Sequence, residues 1–309
     1  MTKTYIGNAQ AHQHLENYVR LKHPGPLILS GKSGLGKKRA AFSLAALLLN
    51  CPEDELLRNR DFLLIDKGKE PVRVEDVLYL LEQSSLTALG NVKVYLLCHA
   101  ERINIQAQNK LLKLLEDRNQ ANIVIFLCNR DALLDTIKSR CLTVEFLPLE
   151  NAEMEEYLNA CNVEHDHAFI RYLCDNCPYR LEEALAVYPA LKETYKEILT
   201  VKCRKELLTV FHLVKERDSE EFYSTYTEHY LMALQMLQYL FYSLLLMQVH
   251  AASDAVPEQE ATHVYQNLSS LYSSADTHRI CVAITKHQRQ WLSGIYTKND
   301  FFDLVRTMI

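Results

Sequence analysis

The sequence has few glycines, and it lacks a long apolar run that is free of polar residues. Only eight of its 309 residues are glycine, and none lies between Gly90 and Gly294. Because glycine disfavours helices and marks turns, this scarcity favours a mainly helical C-terminal half. The most apolar stretch, 231–249, is interrupted by three glutamines and a serine. We interpret this stretch as a buried helix and expect no membrane contact.

We also expect neither a secretory leader nor a disulfide framework. Residues 1–7 contain no apolar core of the kind that signal peptides require. The nine cysteines have no regular spacing, which fits a reducing compartment better than a secreted scaffold. We therefore expect a cytoplasmic protein.

A basic excess is missing as well. The formal net charge is -5, whereas a protein that holds DNA on its own usually carries excess positive charge. If the protein serves DNA, we expect it to do so within an assembly whose other members supply most of the positive field.

The first 150 residues alternate between short apolar runs and amphipathic stretches. Strands are predicted at 26–30, 61–66, 91–97, 122–128 and 142–146, and helices at 33–50, 73–85, 104–117 and 131–139. This alternation predicts an α/β domain with a parallel sheet and helices on both faces.

After Pro148 the pattern becomes helical. Helices are predicted at 151–161, 167–176, 193–215, 219–250, 276–296 and 299–309, with a polar break at 252–260. We therefore predict three domains, namely a sheet domain (1–150), a small helical lid (151–190) and an all-helical C-terminal domain (191–309).

A glycine loop is the most informative segment. The strand at 26–30 leads into Gly31-x-x-x-x-Gly36-Lys37, which opens a helix. Such a loop directs backbone N–H groups at an anion, the helix N-terminus adds partial positive charge, and the lysine reaches the outer phosphates. The predicted phosphate-binding residues are Gly31, Ser33, Gly34, Gly36, Lys37 and Lys38. The alternative is a glycine-rich turn with no ligand.

The metal position departs from this pattern. A Ser or Thr should follow the loop lysine and hold magnesium, but Lys38 stands there. The strand at 91–97 ends in Cys98-His99-Ala100-Glu101 instead of paired acids, and we expect Glu101 on the surface of a turn. Cys98 and His99 could begin a soft-metal site, but no partner ligands are apparent nearby. We predict that magnesium does not bind and that efficient hydrolysis is lost.

Three motifs in order resemble the AAA+ clamp-loader family. The helix at 104–117 carries the pattern Ala-x-Asn-x-Leu-Leu-Lys-x-Leu-Glu from Ala107 to Glu116, and Ser139-Arg140-Cys141 follows the strand at 122–128. Ile6, Gly7 and Leu15 are similar to the family's opening helix. Together with the glycine loop, these motifs cover about residues 5–190. The helical remainder is similar only in length and class.

The resemblance implies roles for three further residues. Asn129 would be the sensor 1 residue near the γ-phosphate. Arg140 would be an arginine finger that acts in trans on the nucleotide site of a neighbouring subunit. Arg180 is similar to the sensor 2 residue of the lid. The alternatives are a structural arginine in a surface ion pair for Arg140 and an ordinary helix-start arginine for Arg180.

An intact Ser-Arg-Cys motif beside a degraded metal site resembles the delta-prime type of bacterial DNA polymerase III clamp-loader subunit. The resemblance implies ATP or ADP in a degenerate P-loop and no intrinsic ATPase activity. It implies a hetero-oligomer with gamma/tau ATPase and delta subunits, a collar formed by the C-terminal domain, and action on a sliding clamp and primed DNA within the polymerase holoenzyme. The alternatives are an active gamma/tau-like ATPase that recruits Glu101, and a nucleotide-binding homologue outside replication.

One family feature is missing from the sequence. These subunits usually carry a four-cysteine zinc module after the P-loop helix, but residues 50–61 contain a single cysteine, Cys51. One thiolate cannot build a tetrahedral zinc site, so we predict no zinc. Cys174 and Cys177 form a lone pair that we interpret as half-buried helical cysteines.

Overall fold

The computed structural model describes residues 7–22, 24–68, 70–116, 121–210, 230–249, 260–293 and 298–309. The chain divides into two compact units. The first comprises Met1–Glu153 with Cys177–Tyr179, and the second comprises Met154–Asn176 with Arg180–Ile309. The first unit therefore ends close to the predicted boundary at 150.

The first unit is built on a five-stranded sheet. Its strands are β1 (Leu27–Ser30), β2 (Phe62–Ile65), β3 (Lys93–Leu97), β4 (Asn122–Cys128) and β5 (Leu142–Glu145). They lie in the order β2-β3-β4-β1-β5, and every neighbouring pair is parallel. All five predicted strands and the parallel α/β architecture are confirmed.

Helices cover both faces of this sheet. They are α1 (Ala9–Val19), α2 (Lys37–Leu48), α3 (Val74–Ser85), α4 (Ile105–Glu116) and the short α5 (Asp135–Lys138). Side chains alternate along β4, so that Ile125 packs in one cluster with residues of α1 and α2, while Phe126 packs in another with residues of α3 and α4. Burial on both faces explains why β3 and β4 are continuous apolar runs.

The order of the strands determines where polar residues meet. Ser30 at the end of β1 pairs with Cys128 of β4 and with Glu145 of β5, and Leu97 of β3 pairs with Phe126. The loops that follow β1, β3 and β4 therefore share the carboxyl edge of the sheet, where open α/β sheets bind ligands.

The second unit is helical throughout the part that the structure describes. It contains most of α6 (Asn151–Ala160), α7 (His167–Cys174), α8 (Leu181–Thr200), α9 (Leu207–Val210), α10 (Tyr230–Gln248), α11 (Glu260–Leu271), α12 (Ser274–Leu292) and α13 (Lys298–Met308). The buried ring of Phe169 meets those of Tyr195 and Tyr239 edge to face, and the three ring centroids lie 5.2–6.1 Å apart. Aromatic burial of this kind supplies much of a helical core.

Helix α10 matches the most apolar stretch of the sequence. By length and composition alone it could cross a membrane, but 67% of the relevant window is buried within the structure. This burial agrees with the predicted core helix. The remainder of the predicted helix at 219–250 lies largely outside the described residues.

Two predictions for the helical region after Pro148 differ from the structure. The predicted helix at 193–215 is not continuous, because α8 ends at Thr200 and α9 begins only at Leu207, while 211–215 lie outside the described residues. The predicted lid boundary at 190 falls inside α8, which continues through Pro189. Proline costs one helix hydrogen bond, whereas burial of Val187, Leu191 and Ile198 on one face favours continuation. The three-domain division stays a prediction.

Candidate functional site

The glycine loop adopts a backbone that only glycine tolerates well. Gly31, Gly34 and Gly36 have φ angles of +133°, +80° and +85°. A Cβ atom on Gly31 would lie 2.2 Å from the carbonyl oxygen of Phe146, and one on Gly36 would lie 2.6 Å from the ring of Tyr179. Both left-handed geometry and close packing therefore require these glycines. Ser33 is exposed in the same turn.

The loop lysine folds back onto the loop. Lys37, the first residue of α2, is 5% exposed, and its Nζ donates to the carbonyls of Gly31 and Lys32 at 2.5 Å and to Asn129 Oδ1 at 3.1 Å. An ammonium has three donors, and all three have acceptors here. Burial lowers the pKa of Lys37 to about 8, although Glu101 opposes this shift. A phosphate would have to exchange for some of these acceptors.

Asn129 connects this lysine to a buried carboxylate. The Asn129 amide nitrogen donates to Glu101 Oε1 at 3.0 Å, and the Asn129 backbone N–H donates to Glu101 Oε2 at 3.1 Å. The Glu101 side chain is only 5% exposed. The expectation that Glu101 lies on the surface is therefore wrong. His99 has a φ of +53° and begins a tight turn over Ala100–Arg102, which turns Glu101 back into the site.

The charge of Glu101 is well stabilised. Burial on its own would raise the pKa of this carboxyl, but hydrogen bonds from His99, from the Glu101 backbone and from Asn129 lower it to about 2. Charge-assisted hydrogen bonds of this kind favour the ionised form. The site therefore holds a carboxylate whose two oxygens are already engaged.

The positions that hold magnesium in a P-loop site carry a lysine and a thiol. Lys38 Nζ lies 2.7 Å from Oδ2 of Asp66, which directly follows β2. Cys98 follows β3, is 3% exposed and hydrogen-bonds to Asp66, and its burial with that contact raises the thiol pKa to about 12. Magnesium requires oxygen ligands in near-octahedral geometry. A cation, a neutral thiol and engaged carboxylates do not fit that ion.

Among the described residues, no group of three or more His, Cys, Asp and Glu side chains could hold a metal ion. The predicted lack of zinc and magnesium stays a prediction.

Tyr179 is a part of the site that sequence reasoning missed. Its backbone N–H donates to the Gly34 carbonyl at 3.1 Å, and its ring packs on Gly36. The Arg39 guanidinium lies 5.9 Å from the ring centroid. No spacing rule connects residue 179 with residues 34–39, so only the fold shows that this aromatic ring closes one side of the loop.

The two predicted arginines have different surroundings. Arg180 belongs to the second unit, where its side chain is 12% exposed and lies 3.7 Å from Glu183 and 3.5 Å from Gln235. Its predicted contact with nucleotide stays a prediction. Arg140 follows α5, and its guanidinium donates to the Thr136 carbonyl at 2.8 Å and to Glu116 at 2.7 Å.

Arg140 remains accessible despite these contacts. Its side chain is 37% exposed and that of Glu116 is 55% exposed. Exposed ion pairs contribute only about 0–1 kcal/mol, so an anion from outside could compete for the guanidinium. The structure thus shows both the surface ion pair considered as an alternative and an arginine that could exchange partners.

The buried side chain of Gln108 supports the position of this arginine. Gln108 Nε2 donates to the Ile103 carbonyl at 2.9 Å, and Oε1 accepts from the Leu134 N–H at 2.8 Å. These bonds connect the start of α4 to the residue that caps α5. The sequence prediction did not single out Gln108. A glutamine on the apolar face of a predicted helix nevertheless indicates a buried polar contact.

The cysteines are reduced and differ sharply in exposure. Cys161 and Cys203 are exposed, whereas Cys98, Cys128, Cys174 and Cys177 are buried, the last two completely. The predicted half-buried state of Cys174 and Cys177 is therefore an underestimate. Burial raises the thiol pKa of Cys98 and of Cys128 to about 12.

Thiol labelling should follow this division. At pH 8, iodoacetamide should modify Cys161 and Cys203 first, because reactivity needs an accessible thiolate. Cys98 and Cys128 should react at least tenfold more slowly until the protein is unfolded in urea. Peptide mapping by mass spectrometry would measure each rate. Early modification of Cys98 or Cys128 would contradict the packing described for the sheet edge.

The fold and the site at the carboxyl edge of the sheet together define a class of protein. A parallel sheet with helices on both faces, a positive-φ glycine loop and a lysine opening α2 form a P-loop domain of the AAA+ type. Residues 7–150 match the family model described as "DNA polymerase III, delta subunit". This part of the chain is therefore similar to clamp-loader subunits of the delta-prime type, and curated delta-prime subunits resemble it as well.

Several relatives share this half. The DNA polymerase III subunit delta-prime of Bacillus subtilis is 31% identical over 154 residues, covering 45% of this chain and 46% of that protein. The subunit delta-prime of Pseudomonas aeruginosa is 32% identical over 186 residues, covering 54% and 53%. The replication factor C small subunit of Methanococcus maripaludis is 29% identical over 158 residues, covering 50% and 48%. The chain thus spans about half the length of the curated relatives it matches.

One solved structure aligns with most of the chain at low identity. A DNA polymerase III gamma-subunit-related protein from Thermotoga maritima aligns with a TM-score of 0.49 and 17% identity, covering 96% of this chain and 98% of that one. A likeness this distant says nothing about activity.

Proposed function

We propose that this chain is a delta-prime-like subunit of a cytoplasmic bacterial clamp loader and acts in DNA replication. It assembles with gamma/tau-type ATPase and delta-type subunits, and the complex loads a sliding clamp on primed DNA. The chain itself holds ATP or ADP in its P-loop without efficient turnover. The proposal rests on the match of residues 7–150 to the clamp-loader family.

The accessible Arg140 guanidinium supports one part of this proposal, a role at the nucleotide site of a neighbouring subunit. It is 37% exposed, and among the residues that the structure describes it bonds to Glu116 and to the Thr136 carbonyl. A guanidinium stays charged at any physiological pH and can donate two parallel hydrogen bonds to phosphate oxygens. It can therefore serve as a cation supplied to a nucleotide bound by a neighbouring subunit.

The P-loop site of this chain supports the proposed lack of ATP turnover. Hydrolysis by P-loop enzymes needs a metal that neutralises charge and a group that orients water. Lys38 and Cys98 stand at the metal positions, and both oxygens of Glu101 accept from Asn129. This last arrangement also disfavours the alternative in which Glu101 recruits magnesium for an independent ATPase.

Reconstitution tests the proposal directly. The chain is mixed with the ATPase and delta subunits of the same organism, and complex formation is followed by size-exclusion chromatography with light scattering. We expect one hetero-oligomer whose ATP hydrolysis rises on addition of clamp and primed DNA, and no turnover by the isolated chain. If the chain fails to enter the complex, the proposed function is contradicted and only the similarity in fold remains. Turnover by the isolated chain that disappears in Glu101→Gln would instead favour the independent ATPase.

A further inference from the structure

Two consecutive lysines at the start of α2 point to different partners. Lys37 is buried and bonds to the loop carbonyls and to Asn129. Lys38 is 55% exposed at its side chain and crosses to Asp66, at the carboxyl end of β2, with Nζ 2.7 Å from Oδ2. The Lys38 ammonium is thus held by a carboxylate on the side of the loop where a P-loop enzyme holds its metal.

The charges around this position leave no role for a divalent cation. The hydroxyl that would bind magnesium is replaced by the Lys38 ammonium, and the strand acid is replaced by the protonated thiol of Cys98. Asp66, which is close to both, is neutralised by its ion pair with Lys38. A divalent cation would have to displace the Lys38 ammonium from Asp66, whereas phosphate oxygens can accept the ammonium protons that Asp66 does not.

We propose that this P-loop binds the phosphate tail of a nucleoside di- or triphosphate without a divalent metal, with the Lys38 ammonium, positioned by Asp66, in place of the metal's charge. Lys37 would contact the tail from the loop side and Lys38 from the β2 side. The exposed half of the Lys38 side chain leaves its ammonium accessible to a ligand. This inference deepens the nucleotide binding proposed above and rests on it.

Calorimetry on the full chain tests the metal dependence. ATP and ADP are titrated into the protein in buffer with EDTA and again with magnesium in excess over the nucleotide. We expect dissociation constants that differ by less than about threefold between the two conditions. Binding that is tenfold or more tighter with magnesium, or no binding in either condition, would overturn the proposal.

Variants identify the residue responsible. Lys38→Thr restores the usual residue at this position, and we expect it to weaken binding in EDTA about tenfold, the effect of one charged hydrogen bond. Lys38→Arg keeps the charge and can keep the pair with Asp66, so it should bind nearly as wild type. Lys110→Thr, which removes an exposed lysine of α4, is the matched control. Equal affinity of Lys38→Thr and wild type in EDTA would remove Lys38 from the site.

The double variant Lys38→Thr with Cys98→Asp restores both metal positions. It should bind weakly in EDTA and at least tenfold more tightly with magnesium, which reverses the behaviour of wild type. Circular dichroism of each variant excludes a failure to fold. Because all these titrations use the isolated chain, their failure leaves the reconstituted complex untouched, and failure of assembly leaves the titrations interpretable.

Discussion

Replacing Arg140 by alanine should slow ATP hydrolysis at the adjacent site of a reconstituted clamp loader by about 10³-fold or more, the usual effect of losing an arginine finger. The guanidinium stabilises charge that develops on the transferred phosphoryl group, and no other side chain supplies a fixed bidentate cation in the same way. Assembly should persist, because Arg140 is exposed and its pair with Glu116 contributes little to stability.

The other sites of such a complex would keep hydrolysing, so a steady-state rate would hide much of the effect. Rapid quench measurements of a single turnover would show the loss as a missing fraction of the burst. Arg140→Lys should recover little of it, because an ammonium lacks the planar fork. Arg58→Ala removes an exposed arginine elsewhere on the same unit and is the control. An unchanged burst in Arg140→Ala would make Arg140 a structural partner of Glu116 and nothing more.

Replacing Glu101 by glutamine should destabilise the first unit by about 2–3 kcal/mol at pH 7. Glutamine keeps the shape of the side chain but replaces one acceptor oxygen with a donor, which then faces the donors of Asn129. Leaving buried hydrogen-bonding groups unpaired costs this order of free energy. Lys37 would also lose its nearby negative charge.

The same substitution predicts a pH dependence. The carboxyl pKa falls from 4.5, its ordinary value, to about 2 in the folded protein. A lowered pKa contributes stability that is complete above the unfolded value and is lost as the pH falls towards the folded value. The difference in unfolding free energy between wild type and Glu101→Gln should therefore have its full value at pH 7 and at pH 5.5. At pH 3 it should be smaller by half or more.

Hydrogen exchange of β3 and β4 amides would measure the effect at pH 7, and urea unfolding followed by circular dichroism would measure it at low pH. The single tryptophan, Trp291, lies in the second unit, so its fluorescence reports a region that the substitution should not affect. Glu82→Gln, at an exposed position of α3, is the matched control. A wild-type chain no more stable than Glu101→Gln at pH 7 would be incompatible with the described network.

The sheet was predictable from the sequence because its signals are local. Each of the five strands is a short apolar run bounded by polar residues, and each predicted strand differs from the observed one by at most two residues at either end. The glycine loop was predictable for a similar reason, since Gly31, Gly36 and Lys37 stand at fixed spacing within one strand–loop–helix unit.

The contacts around the loop were not predictable, because they join residues far apart in the chain. In the sequence, Asp66 is recognisable only as a polar residue after a strand. The fold places it beside Lys38. Glu101 was assigned to a surface turn because it lies three residues beyond the metal position, Cys98, but the left-handed His99 turns the chain back there. Such a backbone conformation at a residue other than glycine has no reliable sequence signal.

The boundaries of the helical half were predictable only in part. The predicted lid boundary at 190 does not coincide with a helix end, because the residues on either side of Pro189 bury one continuous apolar face of α8. The segment between α8 and α9 is short and has few helix breakers, so its composition resembles that of the helices beside it. Composition identified the class of this region but not the ends of its elements.

The position of β1 in the sheet has a consequence for how the protein is made. β1 is completed at Ser30, but both of its neighbours, β4 and β5, are encoded about 90 to 115 residues later. At roughly 5–20 residues per second, translation of that interval takes about 5 to 20 seconds. During this time the apolar residues of β1 lack both of the strands with which they pair in the folded sheet, so the nascent chain exposes an unpaired apolar segment. Folding of the whole sheet must therefore wait until β5 has left the ribosome.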